Sequence, residues 1–569
     1  MYTLRQLLIL GHGVLSVFAT QAAHQQRHAG TAQNRSYWSP GFDINTDYEK
    51  YTPPGRLREY ELTVSQAWIA PDGYLAYGTV FNGQYPGPTI EANWGDTLPN
   101  PQSPEHRKST SSELRNMVLH GIIHTSVSNI QMAFMVGPLI IHGPSSMDYD
   151  IDLGPWLLSD WYHADAFSVY YEELSTVRNL APLPDSVVLN GKGVYDCDPK
   201  NDTLCTGKAE YYEVVVQEGM IYKIAVANTG TLLTLTFFID GHNFTVIETD
   251  FVPIEPYTTN ILNIGIGQRY TIIVEANATF EHGTNFWIHT FYCALATFFP
   301  TSTVGIIRYD KDNTSDPYSP PASELHQDYG CSDPDPNNLV PIVKRTVGNR
   351  VNGMEVADYL KIGLEFSPNA SDSKSLIHKW VLQNTPLYID WEDPSLKKLA
   401  LDRNSSFPED TVPVYLDFET GQWVYFVITN NYSIATTSPP RQNFQSVHPI
   451  HLHGHDFVIL AQGEGPFTTD VVPNLDNPSR RDVTDCPIGG YVWIAFQVDN
   501  PGAWLMHCHI AWHASDGLAM QFIEQPKKIK GLLDNAGVLP EFSQQCQEWS
   551  EWYTDVSEKK GVVQEDSGI

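Results

Sequence analysis

The sequence predicts an all-β protein built from three sandwich or barrel units. Short runs of β-branched and aromatic residues alternate with turn clusters over residues 57–98, 210–310 and 377–525. The chain holds 39 Pro and 40 Gly, and 12% of its residues are aromatic, a strand-and-turn composition. Long amphipathic helical patterns are nearly absent. At 569 residues the chain is too long for one core, so two to four domains are expected.

The first unit shows the run Tyr60-Glu61-Leu62-Thr63-Val64 and the turns Pro71-Asp72-Gly73 and Asn82-Gly83. The second predicts strands at 211–216, 222–227, 232–239, 244–247 and 270–274. The third predicts them at 423–428, 457–460, 491–496 and 504–509. Residues 311–340, rich in Pro, Asp and Ser, read as a linker, and 526–569 as a C-terminal helix and tail. Residues 99–116 are polar and strandless where the first sheet should continue.

A composition of 42% hydrophobic and 18% charged residues excludes global disorder. A net charge of −32 argues against binding nucleic acid, which needs concentrated Lys and Arg. Residues 1–23 carry Arg5, an apolar stretch from Leu7 to Ala19 and small residues at Ala22 and Ala23. That pattern is a signal peptide, too short to span a bilayer, and no other membrane segment is visible. Eight glycosylation sequons, at Asn34, Asn201, Asn243, Asn277, Asn313, Asn369, Asn404 and Asn431, agree with a secreted, extracellular protein. There are seven cysteines, so in an oxidising compartment one is left over; Cys508 is set aside for its neighbours.

Seven of the 20 histidines lie between 448 and 513, in the clusters His448-Pro-Ile-His451-Leu-His453-Gly-His455 and His507-Cys508-His509-Ile-Ala-Trp-His513. Packing does not explain such clustering. Side chains on a strand alternate faces, so His451 and His453 share one face, His507 and His509 share another, and Cys508 points the opposite way. Two facing pairs of imidazoles would build a multi-metal site. Cys508 with His448 and His513 gives the His₂Cys set of a blue-copper centre. Zinc also accepts Cys and His, but has no redox chemistry to explain a thiolate bonded between two ligands of a second site.

These motifs resemble those of multicopper oxidases, most closely fungal laccases of the ascomycete type. Laccase-like stretches also occur at 82–90, 93–98, 137–144, 158–163 and 265–270, and the terminal Asp566-Ser567-Gly568-Ile569 resembles the tail that plugs the solvent channel in those enzymes. The resemblance covers nearly the whole mature chain. It implies three cupredoxin-like Greek-key β-barrels, the first truncated or irregular, at 40–155 (disrupted around 99–136), 156–320 and 340–569. It further implies copper as cofactor: His448, Cys508 and His513 as type 1 ligands, His451 as a type 2 ligand, and His453, His507 and His509 as type 3 ligands. Leu518 takes the axial position, where a non-ligating side chain should raise the copper potential. Asp250 occupies the stretch that supplies the acceptor of the phenolic proton. The resemblance also implies a disulfide between Cys293 and Cys331, and Cys197 with Cys205 would close a short loop.

The family's first domain supplies two further H-x-H pairs. Here the segment reads Val118-Leu119-His120-Gly121-Ile122-Ile123-His124-Thr125-Ser126, with Val118 and Ser126 where histidines belong. The cluster wants eight histidines, and His120, His124, His451, His453, His507 and His509 are six at most. Cys546 lacks its family partner, and Cys486, which departs from the family pattern, is a candidate substitute. The sharp edges of the departure favour a splicing or translation discontinuity over a gradually decayed paralogue.

The expected function is therefore a secreted, monomeric laccase-type oxidase of phenols or aromatic amines, with O₂ as the electron acceptor and neither nucleic acid nor membrane as partner. The alternatives are a copper electron-transfer protein with only the type 1 site functional, and a ferroxidase or ascorbate oxidase.

Overall fold

The computed structural model describes residues 31–98, 121–123, 135–174, 182–281, 283–293, 302–319, 330–352, 360–368, 376–401, 407–430, 446–560 and 566–568. The fold is the expected all-β one: cupredoxin-like units made of paired sheets, with few helices.

The second unit packs a six-stranded sheet on a five-stranded one. The larger runs 252–259, 244–249, 269–275, 221–228, 151–161, 186–189 in spatial order, and the smaller 212–215, 302–308, 285–292, 235–239, 262–264. Non-consecutive neighbours mark crossovers of the Greek-key kind. Between the sheets lies a core that includes Trp156, Phe237, Phe244 and Tyr270. The expected boundary at 155/156 falls inside the strand Ile151–Trp161, which pairs with Ile221–Asn228. The second unit therefore includes the whole strand Ile151–Trp161.

The third unit repeats the plan. One sheet runs 376–382, 360–368, 422–429, 491–498, 457–463, 480–481; the other runs 413–416, 519–524, 502–508, 448–452, 483–486. Its core contains Cys508, Leu518, Trp512 and Phe522, and takes in Val169, Tyr170 and Leu174 of a helix from the second unit, Ala166–Leu174. Helices Pro526–Ala536 and Leu539–Lys560 follow, and no described helix is long and apolar enough to cross a membrane.

The first unit is represented by a hairpin of Val64–Ile69 and Ala76–Phe81, and by a three-stranded sheet of Ile90–Asn93, Gly137–His142 and Gly121–Ile123. On the hairpin, Val64, Gln66 and Trp68 face solvent while their neighbours face inward, the period-two pattern that a one-sided sheet requires. Most of 99–136, including His120 and His124, lies outside the described residues, as do the expected signal peptide and Asn369, Asn404 and Asn431.

Two disulfides form, Cys197–Cys205 and Cys293–Cys331. Cys486 and Cys546 are both free and buried, so Cys486 does not replace the missing partner of Cys546. Cys486 is instead the cross-strand neighbour of His448.

Candidate metal centre

Two adjacent antiparallel strands, His448–Leu452 and Gly502–Cys508, build the centre. Their register sets Ile450 opposite Cys508 and His451 opposite His507. Strand alternation then sorts the ligands. His448 and Cys508 face the core of the third unit. His451 and His507 face away from it.

On the core side, the Cys508 Sγ lies 3.6 Å from His448 Nδ1 and 3.7 Å from His513 Nδ1, and the two nitrogens are 3.2 Å apart. Metal arms of about 2.0 Å to nitrogen and about 2.3 Å to sulfur, spread at about 120°, place sulfur about 3.7 Å from each nitrogen and the nitrogens about 3.5 Å apart. The three donors therefore fit one ion in a trigonal plane. His513 arrives from the short helix Ala511–Ser515, whose return is tied by Cys508 N–H to Leu518 O (3.0 Å) and Leu518 N–H to His513 O (2.9 Å). Leu518 is fully buried and offers no donor, which suits a three-coordinate copper and not a tetrahedral structural zinc site. The Trp380 ring covers the site, 4.2 Å from His513 and 4.9 Å from His448 by centroid.

Burial controls protonation here. It pushes His448 down to about 3 and His513 well below its usual range, so both imidazoles stand neutral and ready as ligands. It pushes the Cys508 thiol up, so the thiolate forms only when a cation compensates it.

On the opposite face, ligand nitrogens of His451, His453 and His507 lie within 4.8 Å of one another, with His453 Nε2 and His507 Nε2 3.1 Å apart. His509 flanks this trio, its ring centroid 5.6 Å from that of His451 and 5.7 Å from that of His507. Two rings are aimed by backbone carbonyls: His451 Nδ1–H donates to Asp482 O (2.7 Å) and His507 Nδ1–H to Cys508 O (2.8 Å), which turns each Nε2 toward the cluster. All seven expected ligands of the third unit are thus brought together in two groups.

The second unit buttresses the cluster through residues whose roles no sequence pattern exposed. Arg269 clamps the Asp482 carboxylate at 2.6 and 2.7 Å, holding the carbonyl that aims His451. Gly267, at φ +83°, lies so close to His509 that a Cβ would fall 2.4 Å from its ring. The Asp160 carboxylate accepts four hydrogen bonds from Thr231, Leu232 and Leu233, and Thr231 O accepts from Ala511 N–H, at the start of the helix carrying His513.

Asp250 requires a correction. It is not placed to take a proton from a substrate. Its side chain is fully buried at a tight turn (φ +44°), with Oδ2 2.6 Å from Arg481 Nε and Oδ1 accepting the Arg269 N–H at 2.7 Å. Burial pushes its carboxyl up against the opposing pull of Arg481 and Arg269. Asp250 is a charge lock between the second and third units. His455 likewise lies apart from both groups, 2.7 Å from the buried Glu524.

The C-terminal tail seats against the helix carrying His513. Ser567 donates from its N–H to Ser515 O (2.7 Å) and from its hydroxyl to Ala514 O (2.7 Å), and accepts the Ile389 N–H at 2.8 Å.

Comparison with known proteins agrees with this geometry. Multicopper oxidase family models match residues 152–312 and 382–528. Dihydrogeodin oxidase of Aspergillus terreus is 50% identical over the full length of both chains. That alignment runs to 610 positions against 569 residues here, so at least 41 of its positions have no counterpart in this chain. A laccase of Arthroderma benhamiae is 35% identical, covering 93% of this chain and 87% of its own. The solved laccase of Botrytis aclada superposes with a TM-score of 0.77 at 32% identity, over 95% of this chain and all of that one. Metal-site geometry, paired-sheet architecture and full-length similarity converge on one conclusion: the chain belongs to the multicopper oxidase family.

Proposed function

We propose that the protein is a secreted laccase-type oxidase of phenols or aromatic amines, acting as a monomer, with type 1 copper at His448, Cys508 and His513. The single observation carrying this reading is the trigonal His₂Cys set whose cysteine is bonded in sequence to His507 and His509 of the second histidine group. Copper, when bound, supplies the one-electron redox steps. The chain supplies the rest. Cys508 gives a covalent route of one residue between the two groups. Trp380 and the surrounding apolar core keep water from the thiolate. The Asp482 carbonyl, set by Arg269, keeps His451 in its ligating tautomer.

Dihydrogeodin is the first substrate to try, given the 50% identical relative named for it. Assays with a simple phenol, Fe(II) and ascorbate separate the laccase reading from ferroxidase and ascorbate oxidase. Two disulfides and the exposure of Asn34, Asn201, Asn243 and Asn277 support an exported protein.

The first-unit histidine deficit and the alignment gap bear on the O₂-reducing half. The polypeptide as written is expected to hold about one copper per chain rather than about four, to be blue, and to be reduced by phenols while consuming O₂ slowly. Copper stoichiometry and an oxygen electrode test this, and Cys508→Ser is expected to abolish both the colour and the reduction by phenols. A colourless copper-loaded protein, or a serine variant that still accepts electrons, would overturn the reading. Transcript sequence restoring the H-x-H pairs across 99–136 would restore the expectation of four coppers.

A further inference from the structure

A second cluster of ionisable side chains stands beside the type 1 ligands and belongs to neither histidine group. Glu173 Oε1 lies 2.8 Å and Asp516 Oδ2 3.2 Å from the same nitrogen, His378 Nε2. All three residues are buried. Each comes from a different element: Glu173 from the second unit's helix Ala166–Leu174, His378 from the strand Leu376–Leu382, and Asp516 from the C-terminal end of the helix that carries His513. His378 stands two residues before Trp380 on its strand, on the same face, and Trp380 covers both copper-ligating imidazoles.

We propose that Glu173, Asp516 and His378, packed beside the His448–Cys508–His513 centre, form the proton-accepting site for the substrate. This rests on the phenol-oxidase reading above. Oxidation of a phenol breaks its O–H bond: copper(II), when held by the His₂Cys set, would take the electron and become copper(I), and the proton must go elsewhere. The second unit's Asp250 is locked to Arg481 and cannot receive it. The Glu173–Asp516 pair can. Two carboxylates face one imidazole, so with His378 protonated the group carries one net negative charge, and one added proton neutralises it.

The charge balance supports this assignment. Burial, then the Asp516 charge, push Glu173 up to about 7, with His378 opposing. Burial would lower His378, but the Glu173 and Asp516 carboxylates outweigh it and hold it up at about 10. The group therefore changes by one proton near neutrality, the condition for a general base. Among the described residues, Tyr170 on the Glu173 helix and His513 also face the cluster, and Asp566 of the C-terminal tail lies beside Tyr170. The Tyr170 hydroxyl donates to Ser515 O at 3.4 Å, and burial with the nearby carboxylates holds it protonated.

The test compares two electron donors on the copper-loaded full chain, by anaerobic stopped-flow bleaching of the blue colour, which needs no O₂ reduction. A phenol delivers an electron and a proton; ferrocyanide delivers an electron alone. In the parent protein the phenol rate is expected to rise with pH through about 7 and then level off. Glu173→Gln is expected to slow phenol at least about 100-fold and to flatten the pH profile, His378→Phe to move the rise to higher pH because His378 no longer holds the Glu173 carboxyl down, and both to leave ferrocyanide within about 3-fold. Infrared spectra of the copper-free protein provide a readout independent of turnover: a protonated-carboxyl band titrating near pH 7 is expected, absent in Glu173→Gln. Equal loss with both donors would mark the cluster as structural and overturn the proposal, as would phenol rates unchanged in both variants. A parent protein bleached by ferrocyanide but by no phenol would instead overturn the substrate reading.

Discussion

Substituting Asp250 by Asn separates a charge lock from a catalytic base. Asn tolerates the left-handed backbone that Asp250 adopts at φ +44°, and it preserves shape while removing the charge. What remains is an Arg481 guanidinium with no exposure to solvent, its Nε facing a neutral amide where it had a carboxylate at 2.6 Å. Breaking a buried pair by removing one partner costs about 3–5 kcal/mol, because the surviving charge stays desolvated. Arg481 keeps the Tyr270 hydroxyl at 2.7 Å and Asp333 at 3.7 Å, so the lower end, about 3 kcal/mol, is expected. At roughly 2–4 °C per kcal/mol for units of this size, calorimetry of the copper-loaded protein should show a Tm fall of about 6–12 °C. Adding Arg481→Met to Asp250→Asn should recover part of that loss, since no buried cation is then stranded. The rate of copper reduction by phenol should remain within about 3-fold of the parent. A variant that kept its Tm to within about 2 °C yet lost phenol oxidation about 100-fold would refute the lock and return Asp250 to the role of base.

Two further substitutions probe the metal centre. Leu518→Met conserves volume and should cost under about 1.5 kcal/mol, while offering the copper a thioether; redox titration of the blue colour should show a lower potential, and an unchanged potential would mean the side chain does not reach the metal. Gly267→Ala should cost more than Gly219→Ala in thermal unfolding. Both glycines have φ above +80°, at about 1–2 kcal/mol each for Ala, but only at Gly267 would the new methyl meet the His509 ring, at 2.4 Å, and equal costs would show that the ring gives way freely.

What the sequence disclosed, and what it concealed, divides along a physical line. The strands of the second and third units were legible because each buries apolar residues at a local period, and the observed strand Tyr491–Val498 extends the expected 491–496 by only two residues. The split of the ligands between two faces was legible too, since strand alternation alone separates His448 from His451 and Cys508 from His507. The helix Ala166–Leu174 was missed because its Val, Tyr and Phe content reads as strand. Its start does carry a signal, Asp165 capping the Ser168 N–H at 3.1 Å, and Val169, Tyr170, Glu173 and Leu174 are buried at helical spacing. The Glu173–His378–Asp516 cluster had no such signal, for His378 stands 205 residues from Glu173 and its partners are single residues on separate elements. Long-range pairs of this kind are fixed by how the units pack. Local periodicity therefore revealed where a metal could sit, whereas the assembled interface between the second and third units decides which carboxylates remain able to exchange a proton beside it. That is why Asp250 and Glu173, both second-unit acids buried against the third unit, come to opposite roles: one faces two arginines, and the other shares a histidine with a second carboxylate.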